Sequence, residues 1–115
     1  MMVLGREQEI PRQVVSALET GLGDRLVAII LFGSHARGEA SAASDWDMLV
    51  IATGLPRRAF ERHIALKRML PTECRGAISL VAKTPDEFEA HLPSLYLDIA
   101  LDGQILYDLR SYAAD

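Results

Sequence analysis

The chain has 115 residues, a formal charge of −4, 50% hydrophobic and 24% charged residues. That length suits one domain, residues 1–115, and the apolar share is too high for a disordered chain. The acidic balance excludes a generally basic nucleic-acid coat, and a single cysteine, Cys74, excludes an intramolecular disulfide or a cysteine-rich zinc site.

Arg6, Glu7 and Glu9 place charge too early for a signal peptide. Glu9 to Leu22 reads as a helix: Val14, Val15, Leu18 and Leu22 recur at helical spacing, Pro11 falls in the first turn, and Gly21 and Gly23 supply the stop. The longest apolar run, Leu26 to Phe32, is far below the ~20 residues that span a bilayer. The chain is therefore expected to be soluble and cytoplasmic, with no membrane association. The same run, rich in β-branched residues, fits a strand buried on both faces. A small, polar stretch from Gly33 to Ser44 separates it from a second strand, Asp45 to Ala52, acidic at its start and apolar at its end.

Thr53 to Pro56 turns the chain into a helix of about four turns ending near Leu70. Ala59, His63, Leu66 and Leu70 form its apolar stripe, with Phe60 beside it. Arg57, Arg58, Arg62, Lys67 and Arg68 against Glu61 make a locally basic face, either solvated or suited to RNA or an acidic partner. Pro71 stops the helix and Gly76 to Lys83 reads as a third strand. Thr84, Pro85 and Glu87 match a capping box that opens a helix to His91. Another helical segment runs from Pro93 or Ser94 to Leu101, apolar nearly all round and suited to core filling or to docking another chain, including a second copy. Asp102-Gly103 breaks it before a short apolar piece, Gln104 to Tyr107. The order α-β-(turn)-β-α-β-α-α predicts a small mixed α/β (α+β) sheet with helices packed against it. No G-x-G-x-x-G follows the first strand, so a Rossmann unit is excluded.

The chemistry-bearing pattern is Gly33-Ser34, ten residues, then Asp45-x-Asp47. Asp45 and Asp47 are two apart at a strand start, which predicts carboxylates on one face, ~6–7 Å apart. Such a pair repels unless a positive charge lies between them, and Mg2+ is the hard, oxygen-seeking cation that suits it. Gly33 permits close backbone approach, and amides at the following turn with the Ser34 hydroxyl suit phosphate oxygens. Arg37 is a further cationic contact. A phosphate cradle opposite a metal-binding pair is the requirement of nucleoside triphosphate chemistry. His35 lies in the same turn as a candidate phosphate contact. Trp46 alternates away from the two aspartates and is expected to pack into the core or against a helix. His63, in the apolar stripe, is expected to be a partly buried packing residue.

Leu31-Phe32-Gly33-Ser34-x-Ala36-Arg37-Gly38, followed by Ser44-Asp45-x-Asp47-x-Leu49-Val50, resembles the signature of the minimal nucleotidyltransferases (MNT), within the DNA polymerase β-like nucleotidyltransferase superfamily. The resemblance covers most of the chain and implies that superfamily's fold. It implies Mg2+-dependent transfer of a nucleoside monophosphate, usually AMP from ATP, to a protein or RNA hydroxyl. It also implies a HEPN-domain partner for which such a chain serves as antitoxin. Gly33 and Ser34 match the triphosphate-binding pair, and Asp45 and Asp47 the first two metal ligands, with catalytic roles. The third carboxylate of the pattern belongs on the next strand, where this chain has Ala77-Ile78-Ser79-Leu80-Val81. Ser79 is a poor base and a poor Mg2+ ligand. The alternative is therefore a catalytically degenerate module that binds nucleotide or a partner without transferring.

Overall fold

Runs of branched apolar residues separated by polar turns assemble into one four-stranded sheet in the computed structural model, which describes residues 6–36, 38, 45–90 and 103–108. The elements are α1 (Arg6–Leu22), a 3-10 turn (Gly23–Arg25), β1 (Leu26–Phe32), α2 (Gly33–Ala36), β2 (Trp46–Ala52), α3 (Ala59–Met69), α4 (Thr72–Arg75), β3 (Ile78–Lys83), α5 (Pro85–Ala90) and β4 (Gln104–Asp108). The sheet order is β3-β2-β1-β4. β1 runs antiparallel to β2 and β4, whereas β2 and β3 are parallel. That parallel pair is joined through α3, because parallel neighbours need a crossover rather than a tight hairpin. The expected mixed α/β architecture is present.

β1 and β2 occupy the middle of the sheet, and all but one residue of each is buried. This is why both read as unbroken apolar runs. On one face, Leu26, Ile29, Leu31, Met48 and Val50 pack with Val14 and Leu18 of α1 and with Leu66 and Leu70 from the α3 segment. Each large side chain fully removed from water there contributes roughly 1.5–3 kcal/mol. Gly21 lets the two helices close: a Cβ at that position would lie 2.5 Å from Met69 Sδ. The opposite face gathers Ala28, Ile30, Phe32, Leu49 and Ile51, with Phe88 of α5 against them.

Several elements differ from expectation. α1 starts at Arg6, so Pro11 lies inside the helix rather than in its first turn. α3 starts only at Ala59, because Arg58 is extended (φ −80°, ψ 130°), and it is three turns long. Its buried face is also different. Arg62 and Leu66 face inward, while Ala59 and His63 are exposed and Phe60 is 74% exposed. The basic row thus loses Arg62, whose long apolar stem reaches inward. Its Nε donates to Pro56 O at 2.9 Å and its Nη1 to Ala82 O at 3.0 Å and Glu87 Oε1 at 2.8 Å. The Gln104 to Tyr107 piece forms an edge strand. His91 and the helical segment through Leu101 lie outside the described residues.

Candidate active site

β1 and β2 pair so that Phe32, the last residue of one, sits opposite Asp47, near the start of the other. The chain then has to turn at once beside a carboxylate. Gly33 does so with φ +75°, a region that side-chain-bearing residues enter only with strain. Space demands glycine there as well. A Cβ on residue 33 would lie 3.1 Å from Asp47 Cγ and nearer still to its Oδ2. The following single turn, α2, carries Ser34 and His35, and Gly38 N closes it by donating to His35 O at 3.3 Å.

On β2, Trp46 is 8% exposed within the core under α1 and α3. Asp47 follows it in the strand and so belongs to the opposite face, half-buried. Asp45 is exposed and stands one residue before the strand. Strand alternation therefore positions Asp47 but does not by itself orient Asp45. β3 completes the arrangement, since Ser79 is the in-register neighbour of Asp47. The position where a third carboxylate is expected is thus adjacent in space as well as in pattern, and it carries a hydroxyl. Among the described residues, no group of three or more His, Cys, Asp or Glu side chains converges.

A family model described as Polymerase beta, Nucleotidyltransferase matches residues 17–109. The chain belongs to that nucleotidyltransferase family. Two relatives come from Methanocaldococcus jannaschii. One, "Putative protein adenylyltransferase MJ1305", is 58% identical over 45 residues, 39% of this chain and 31% of that protein. The other, "Putative protein adenylyltransferase MJ0604", is 28% identical over 102 residues, 88% of this chain and 98% of that protein. The chain thus spans about a third of the first relative and nearly all of the second. A solved complex of tri-AMPylated Shewanella oneidensis HEPN toxin with MNT antitoxin contains a chain of the same fold, with TM-score 0.64 and 18% identity over 94% of this chain and 77% of that one.

Around the nucleotidyltransferase motif, the structure gives two residues contacts that pattern reasoning did not foresee. His35 stacks on Trp46, ring centroids 3.6 Å apart and planes 12° from parallel. Lys67, expected on a basic surface, turns inward. Its Nζ donates to Arg75 O at 2.7 Å and to Ile78 O, the carbonyl preceding Ser79. Burial pushes the Lys67 ammonium below its ordinary range, and the nearby Asp45 charge partly offsets this. Nothing in the sequence marks Lys67 apart from its arginine neighbours; only the packing of α3 against the start of β3 does so.

Arg37 and residues 39–44 lie outside the described residues. A surface concavity between α1 and α3, bordered by Arg12, Ser16, Thr20 and Met69, brings none of the motif residues together. No helix among the described residues is long and apolar enough to cross a membrane.

Proposed function

We propose that this nucleotidyltransferase moves AMP from ATP to a hydroxyl of a protein acceptor, with Asp45 and Asp47 holding Mg2+ and Gly33 and Ser34 receiving the triphosphate. The observation that carries the reading is the closeness of the Gly33 turn to Asp47, where even a methyl group would strike the carboxylate. Phosphate oxygens brought to that turn necessarily lie beside the acidic strand. Two carboxylates are also a fitting donor set for Mg2+, which usually takes one or two from the protein and the rest from phosphates and water. When bound, the ion offsets charge on the phosphate oxygens and on the departing pyrophosphate.

The chain's own residues do the rest. The Gly33 backbone admits the phosphates, and Ser34 offers them a hydroxyl donor. Arg37, three residues after Ser34 in the chain, adds a cationic contact. In the transfer, the acceptor oxygen bonds to the α-phosphorus, the bond to pyrophosphate breaks, and the acceptor proton leaves to solvent or to a neighbouring base. A HEPN-domain toxin is the proposed acceptor, supported by the adenylyltransferase names of the relatives and by the fold shared with the Shewanella complex. The chain is then the antitoxin of the pair. Cys74, buried and with its thiol pushed up chiefly by burial, suits a cytoplasmic setting.

A second reading is favoured by one residue. Ser79 beside Asp47 leaves β3 without a base or a third ligand, so the site binds nucleotide and transfers nothing. Labelled ATP, Mg2+ and candidate acceptors separate the two. Label transfer to a HEPN protein that Asp45→Asn abolishes supports the enzyme. Nucleotide binding without transfer supports the module, and transfer to RNA alone replaces the protein acceptor. In an active parent, Ser79→Asp is expected to raise the rate at least about tenfold, because a positioned base contributes roughly 10²–10⁴.

A further inference from the structure

A helix of one turn has too few internal hydrogen bonds to hold its own shape. α2, Gly33 to Ala36, must therefore be fixed by what it touches. Two contacts stand out, and they lie on opposite faces of β2. Gly33 abuts Asp47, whereas His35 lies flat on Trp46. Trp46 and Asp47 are consecutive strand residues, so their side chains diverge. The turn consequently straddles the start of β2, and Ser34 is the residue between the two attachment points. The Trp46 side is firmly anchored. Its ring sits in the core with Met48 and Ile78, and its backbone amide donates to Ala77 O at 2.8 Å.

We infer that His35 is a positioning residue for nucleotide binding: stacked on Trp46, it holds Ser34 at the height of Asp47 and keeps the phosphate-receiving turn in place. This rests on the nucleotidyl-transfer reading of the site. In it, the imidazole acts through its flat face rather than as a phosphate contact. An aromatic ring of similar breadth therefore substitutes for it, and a methyl group does not.

The chain allows a direct test, because Trp46 is its single tryptophan and reports the stack by fluorescence. His35→Ala is expected to change Trp46 emission without nucleotide present. It is also expected to weaken binding of a non-hydrolysable ATP analogue with Mg2+ by about fivefold to tenfold, the range open to one aromatic contact. His35→Phe is expected to restore binding to within about twofold of the parent, at any unfolding midpoint that leaves the protein folded at the assay temperature. Unchanged affinity in His35→Ala overturns the inference, as does a His35→Phe variant as weak as His35→Ala, which would mean a polar role for the imidazole. A parent chain that binds no ATP analogue sinks the reading of the site and this role with it. A parent that binds while His35→Ala binds equally well sinks the positioning role alone.

Discussion

The chain leaves two of its strands by a polar turn into a helix, and the two turns are built on different principles. After β3, Thr84 and Glu87 satisfy one another. The Thr84 amide donates to Glu87 Oε1 at 2.8 Å and the Glu87 amide to Thr84 Oγ1 at 3.2 Å. Arg62 then clasps the same carboxylate from α3. After β1, Gly33 adopts a left-handed conformation and α2 is held by contacts with Asp47 and Trp46 on a neighbouring strand. The first turn uses its polar groups to stabilise itself. The second is shaped by long-range contacts, with Ser34 between the residue that abuts Asp47 and the one that stacks on Trp46.

Gly33→Ala separates the two turns most sharply. The added methyl collides with the Asp47 carboxylate in a backbone region that costs about 1–2 kcal/mol for alanine. ATP-analogue binding measured by calorimetry is expected to fall about a hundredfold, well beyond what the stability loss explains. At the other turn, Arg62→Met removes the donor to Pro56 O, Ala82 O and Glu87 together. Stability in urea is expected to drop by about 2–3 kcal/mol, with nucleotide affinity unchanged in the folded protein. Thr84→Ala loses only the cap and is expected to cost about 1 kcal/mol in the same measurement.

The smallest effect is a pH dependence. Hydrogen bonding from the Thr84 amide, and then from Arg62, holds the Glu87 carboxyl below its ordinary value of 4.5. A depressed carboxylate contributes stability that is complete above that ordinary value and is lost as pH falls through the folded one. Glu87→Gln is expected to lower the unfolding midpoint modestly at neutral pH and to flatten the acid limb of its profile below about pH 4.5, where parent and variant converge. The amplitude is modest because the Glu87 side chain is 41% exposed and its ion pair is partly screened.

Local chemistry made much of this legible in the sequence. The unbroken apolar runs declared β1 and β2 as strands buried on both faces, the Thr84-x-x-Glu87 spacing declared a cap, and Gly33-Ser34 with Asp47 declared a turn facing an acidic strand. The runs and the cap are written in residues close together in the chain, where periodicity and hydrogen-bonding capacity act directly, and the turn and its aspartate in a motif of fixed spacing. The inward-facing cations were not legible. Arg62 and Lys67 stand in a row with Arg57, Arg58 and Arg68, and only helix rotation against the sheet chose which of them would meet carbonyls of the β3 segment. The same choice left His63 and Phe60 outside and Arg62 within. The stack of His35 on Trp46 and the register of Ser79 beside Asp47 likewise join residues ten or more apart in the chain. The sequence by itself determined β1, β2 and β3 and which residues bear charge, whereas the Gln104 to Tyr107 piece became a strand only by pairing with β1. Tertiary structure alone decided which charges are buried and what they touch, because burial is a property of packed surfaces and not of any one stretch of chain.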